Sequence, residues 1–185
     1  HDAAANCYLR IIIIYVFHLQ GWAVTPSAKS FWRMGIKSLA DKFAAPAAES
    51  LFAQESEKPV FAYRTINDIG EVDKVLYQAE RQKEIALDTE ATSLLVMEAK
   101  LVGISLSLED GVAYYIPVGH RDGKNLPMDA VLDRFSKFFR SKTRIIGHNI
   151  KFDRQILMNH GVKMDNLSFD TMVGAYLIDP GKRSY

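Results

Sequence analysis

From Val60 onward the chain alternates between segments with the two-residue period of strands and segments with the helical period. Val60 to Tyr63 is a strand candidate, and Thr65 with Asp68 three residues later has the spacing of a helix start. Val72, Val75, Leu76 and Ala79 then recur on one helical face. Ile85-Ala86-Leu87, Leu101 to Leu108 and Val112 to Val118 read as strands. The last two are joined by Glu109-Asp110-Gly111, a link so short that they must pair antiparallel. Met128 to Arg140 is an amphipathic helix, with Val131, Leu132, Phe135, Phe138 and Phe139 on one side and Asp133, Arg134, Lys137 and Arg140 on the other. A short strand at Arg144-Ile145-Ile146 precedes a helix around Phe152 to Asn159, which Gly161 ends, and a last helix runs from about Thr171 to Ile178. Strands first, helices later and one strand returning between helices predict an α/β fold of the mixed-sheet, α+β kind, with helices covering the sheet.

Upstream of Val60 the pattern is weaker. Residues 1–29 show no continuing period, and their strongest apolar run, Ile11 to Phe17, is far shorter than the ~20 residues a membrane span requires. Ser30 to Phe43 suits a short amphipathic helix through Phe31, Ile36, Leu39 and Phe43, although Gly35 weakens it. Residues 44–58, rich in Ala and polar groups and followed by Pro59, read as a linker. The start at His1 and the polar run to Tyr185 give the chain the look of a fragment.

Composition adds exclusions. A 48% hydrophobic and 24% charged make-up in 185 residues suits a globular chain with a sizeable core. The formal charge of +1 excludes a uniformly basic nucleic-acid binder and leaves local charge open. With Cys7 as the only cysteine there is no intrachain disulfide, which predicts a reduced, intracellular setting.

The candidate chemistry lies in carboxylates. Asp88 and Glu90 follow the apolar Ile85-Ala86-Leu87, and alternation places both on one face of the strand. Side by side they repel, and no Lys or Arg occurs between Glu90 and Lys100, so a hard divalent cation, Mg²⁺ or Mn²⁺, would satisfy them. A bare Asp-x-Glu is more often a strand-end cap with a solvated neighbour. A second group shifts that balance: Ile145-Ile146-Gly147-His148-Asn149 ends a strand in a turn, and Asp153 lies one helical turn beyond Asn149. Asp170 reads equally as the cap of the next helix or as a site group.

Five segments carry a resemblance: Ile85-Ala-Leu-Asp-Thr-Glu-Ala-Thr-Ser-Leu94, Leu101-Val-Gly-Ile-Ser105, Ala113-Tyr-Tyr-Ile-Pro-Val-Gly-His120, Gly147-His-Asn-Ile-Lys-Phe-Asp153 and Phe169-Asp-Thr-Met172. Together they resemble the 3′-5′ exonuclease, or proofreading, domain of bacterial DNA polymerase I, within the DEDD exonucleases of ribonuclease H-like fold. The resemblance implies residues 59–185 as an incomplete domain of that kind. It also implies residues 30–43 as the end of a 5′ nuclease-like region, with 1–29 unassigned. It further implies two-metal hydrolysis of the 3′-terminal phosphodiester of DNA, with Mg²⁺ or Mn²⁺ held by Asp88, Glu90 and Asp153. Leu94 falls at the family's wedge against the terminal bases, and Asn149 and Phe152 at positions lining the strand end; on apolarity alone Leu94 reads equally as core. The expected partners are a single-stranded DNA 3′ end and a polymerase domain in the intact protein, with no membrane, in the bacterial cytoplasm.

Two departures bear on activity. The family's fourth carboxylate lies in a Tyr-x-x-x-Asp motif, which this sequence lacks, and Ala91 stands where a threonine usually follows Asp-Thr-Glu. Little or no activity is therefore expected of this chain. Two other classes compete: a non-catalytic binder of single-stranded 3′ ends or scaffold beside a polymerase, and an RNA exonuclease of the ribonuclease D type.

Overall fold

A computed structural model describes residues 62–109 and 111–178. The expectations for residues 1–29, the helix at 30–43, the linker at 44–58 and the chain end at 179–185 lie outside them. The described elements are β1 (Ala62–Thr65), α1 (Ile69–Ala79), β2 (Glu84–Ala91), β3 (Leu101–Glu109), β4 (Val112–Pro117), α2 (Met128–Phe138), β5 (Arg144–Gly147), α3 (Ile150–Asn159), β6 (Leu167–Asp170) and α4 (Thr171–Ile178). The strands form one mixed sheet in the order β1-β4-β3-β2-β5-β6. β3 pairs antiparallel with β2 and with β4, the second pairing being the one the short hairpin link requires, whereas β1 runs parallel to β4 and β5 runs parallel to both β2 and β6.

Alternation sorts the sheet into two chemically different faces. Ile85 and Leu87 of β2, Ile104 and Leu106 of β3 and Ile116 of β4 join one buried cluster with Val72, Val75, Leu76 and Ala79 of α1 and with Val131, Leu132, Phe135 and Phe138 of α2. α3 adds Ile150, Ile156 and Leu157 to the same cluster. The alternate positions, Ala86, Asp88, Ser105, Ser107, Ala113 and Tyr115, are buried too, but they are small or polar. Cross-strand register sets Asp88 opposite Ser105 and Ser105 opposite Tyr115, so the three form a row on that second face.

Gly103 is needed on the second face. A Cβ there would overlap the Tyr115 phenol, which is buried and hydrogen-bonded to His120 Nε2 at 2.6 Å. Gly103→Ala therefore overpacks the face, and a loss of about 1–3 kcal/mol is expected in urea unfolding.

Several boundaries differ from the sequence reading, each for a local reason. The cap of α1 is Asp68 itself, whose carboxylate accepts the Gly70 N–H at 2.8 Å, while Thr65 belongs to β1. α3 starts at Ile150 rather than Phe152, and Asn149 takes the left-handed conformation with φ 56°. β6 has no counterpart in the sequence reading: four residues, Leu-Ser-Phe-Asp, on a sheet edge are too short for alternation to register.

Candidate nuclease site

The parallel strands β2, β5 and β6 deliver their carboxyl ends to one rim of the sheet, where α/β proteins commonly place their sites. Asp88 and Glu90 arrive at the end of β2, Asn149 and Asp153 follow β5, and Asp170 closes β6.

Asp153 owes its position to a gap in the ladder. β5 pairs with β2 only along Glu84, Ile85 and Ala86 before the chain turns away, leaving the next part of β2 open on that side. Into this gap α3 projects Asp153, whose Oδ1 accepts both the backbone N–H and the Oγ1 hydroxyl of Thr89, each at 2.7 Å. A carboxylate thus stands where a neighbouring strand would have offered carbonyl oxygen. Asp153 is 2% exposed and Asp88 5%. Burial, and after it the charge of Asp88, pushes the Asp153 carboxyl up to about 7, against the partial relief of the Thr89 hydrogen bonds.

Glu90 is placed differently. It is half-buried, shares the Asp88 face of β2 and stands opposite Gly103, where the β2–β3 register shifts by one step toward Ala91. The structure therefore brings Asp88 and Asp153 together but leaves Glu90 outside that pair. Among the described residues no group of three or more acidic, histidine or cysteine side chains is assembled for a metal.

The donor set still suits a hard divalent cation. Two buried carboxylates, Asp88 raising the proton affinity of Asp153, offer oxygen ligands alone, and Glu90 shares the strand face of Asp88 as a third oxygen donor.

Asp170 reads unambiguously as a cap. Its Oδ1 accepts from the N–H groups of Asn149, Met172 and Val173 at 3.0, 2.9 and 3.3 Å, and its Oδ2 from Ile150 N–H at 3.1 Å. It serves the starts of both α3 and α4. The Asn149 side chain makes no cap bond, so the capping role open to it from sequence has passed to Asp170.

Of the two readings of Leu94, the structure excludes core. Leu94 is 90% exposed in the β2–β3 loop, with Leu95 and Met97 also exposed. Asn159 Nδ2 of α3 holds that loop by donating to Val96 O at 2.7 Å. Phe152 is half-buried against the core cluster and Asn149 is half-buried at the rim. Sequence reasoning missed Thr89, the middle residue of Asp-Thr-Glu; its signal was a hydroxyl-bearing residue, not a third apolar one, between two carboxylates.

Comparisons with known proteins bear on the family and the fold. Residues 63–185 match the family described as 3′-5′ exonuclease. The chain is 38% identical over 121 residues to the DNA polymerase I of Borreliella burgdorferi, covering 65% of this chain and 13% of that protein. With the DNA polymerase I of Chloroflexus aurantiacus it shares 36% identity over 148 residues, covering 75% and 15%. The chain thus spans about one seventh of the length of these relatives. Among solved structures it resembles the POL domain of Pol1 from M. smegmatis in complex with DNA primer-template and dNTP, with TM-score 0.55, 18% identity and coverage of 66% of this chain and 20% of that one. Trypanosoma brucei RNase D in complex with RNA U12 is similar at TM-score 0.51 and 16% identity, covering 65% and 41%. No helix among the described residues is long and apolar enough to cross a membrane.

Proposed function

The chain belongs to the 3′-5′ exonuclease family, and from that membership we propose that its site hydrolyses the 3′-terminal phosphodiester of DNA with two divalent metals, as the proofreading part of a DNA polymerase I. The observation that carries the mechanism is the buried, mutually repelling pair Asp88 and Asp153 at the carboxyl end of β2 and the start of α3. Mg²⁺ or Mn²⁺ bound there supplies an acidified water and neutralises charge on the reacting phosphate.

The chain's own residues divide the remaining work. Asp88 and Asp153 hold the cations, with Asp153 kept in line by Thr89. Glu90, half-buried on the same face of β2 as Asp88, would supply the further oxygen donor. Leu94, held out into solvent on a loop anchored to α3, wedges against the terminal bases, and Asn149 and Phe152 line the path of the strand end. The partners on this reading are a single-stranded DNA 3′ end and a polymerase domain in the intact protein.

Lacking the Tyr-x-x-x-Asp carboxylate, the 185-residue chain should release few nucleotides. Its fusion to that helix from a DNA polymerase I relative should release many. The test is Mg²⁺-dependent release of 3′ mononucleotides from labelled single-stranded DNA, blunt duplex DNA and RNA. The fusion should prefer single-stranded DNA and slow as salt rises. Preference for RNA would support the ribonuclease D type, and end binding without release by the fusion would support the scaffold reading.

A further inference from the structure

We infer that Asp170 is a positioning residue for this site: it fixes the turn from which α3 starts and thereby seats Asp153 on β2. The inference deepens the exonuclease reading, on which its meaning for catalysis rests. β6 runs parallel to β5 with Asp170 opposite Gly147, so the carboxylate arrives beside the chain just as it leaves β5 for α3. There it gathers four N–H groups, two from the start of α3 and two from the start of α4. These are donors that a helix start leaves without intrahelical partners, and their positive end favours an anion. With Oδ1 taking three N–H groups and Oδ2 one, Asp170 is engaged as a structural acceptor, which separates it from the carboxylates that hold a cation.

The turn it holds is an unusual one. Asn149 is the only described residue other than glycine with positive φ, at φ 56° and ψ 40°, and its side chain does not support the turn. Such a conformation persists where surrounding bonds over-determine it. Asp170 supplies two of them, to Asn149 and Ile150, and His148 Nδ1 adds a 3.0 Å tie to Thr171 Oγ1 of α4. Asp153 lies one turn along the same helix, and its two 2.7 Å bonds to Thr89 tolerate little displacement. Order imposed at the end of β6 therefore passes through α3 to the Thr89 amide of β2.

Amide hydrogen exchange read by NMR on the full 185-residue chain separates positioning from simple capping, and it needs neither metal nor DNA, so its failure is distinguishable from failure of the exonuclease reading. In Asp170→Ala, exchange at Asn149, Ile150, Met172 and Val173 should rise, and exchange at Thr89 should rise with them on the order of tenfold relative to Ile104 and Leu106 of β3. Asp170→Asn keeps the Oδ1 acceptor and loses the bond to Ile150, so Thr89 should rise by a smaller factor. If the alanine variant does not fold, the asparagine variant carries the test alone. Thr89 exchanging in step with Ile104 and Leu106 in the folded variants would reduce Asp170 to a local cap and overturn the inference.

Discussion

Asp153→Asn is expected to make the metal-free protein more stable at pH 8, while abolishing its stabilisation by Mn²⁺. The wild-type carboxyl is pushed up to about 7 by burial and by Asp88, so between about pH 4 and 7 the folded protein binds a proton that the unfolded chain, with an ordinary carboxyl near 3.8, has released. Stability is then fully present below the unfolded value and is lost as pH rises through the folded one. The loss amounts to on the order of 4 kcal/mol at pH 8. The substituted asparagine carries no charge and keeps an Oδ1 that can accept from Thr89, so the variant should show a nearly flat profile. Thermal melts in EDTA from about pH 4.5 to 8 check this: the wild type should lose roughly 10 °C across the range and the variant little. Mn²⁺ should restore the wild type at pH 8 and leave the variant unmoved. A wild-type melting temperature that holds or rises between pH 5 and 8 in EDTA would show that Asp153 is not held at high proton affinity.

What could be read from residues alone follows the range of the interactions involved. The buried face of α1, the β3–β4 hairpin and the placement of Asp88 and Glu90 at the end of an apolar strand are local, so period and spacing revealed them. The parallel pairings of β1 with β4 and of β2 with β5 join segments distant in the chain and leave no local mark. Asp170 looks equally like a cap or a site group in the sequence because spacing shows Thr171 following it and cannot show Asn149 and Ile150 arriving from another strand. Thr89 escapes notice for the same reason: its partner Asp153 lies 64 residues away. Leu94 could be core or wedge until a loop anchored by Asn159 carried it into solvent. Alternation groups Glu90 with Asp88 because it fixes the face, but it does not reveal the register shift beside it.

Asp88→Ala should also remove most of the cation binding. Asp88 is buried, and its charge is the one acting on Asp153, so removing it takes a ligand and returns the Asp153 carboxyl toward its ordinary range. A lone Asp153 engaged with Thr89 retains little hold on a dication, and affinity is expected to fall on the order of a hundredfold. Glu90→Gln should cost less, because Glu90 stands outside the buried pair. Metal-dependent stability should fall with affinity in both variants, since a cation that binds only the folded state stabilises it by mass action.

That Asp88 and Asp153 form a cation-holding pair at the end of β2 is tested most directly by isothermal titration of Mn²⁺ into the wild-type protein and Asp88→Ala at pH 8. Saturable binding by the wild type and near-complete loss in the variant are expected, with circular dichroism showing both folded. Equal binding by the two folded proteins, or no binding by the wild type, would contradict the pair's role.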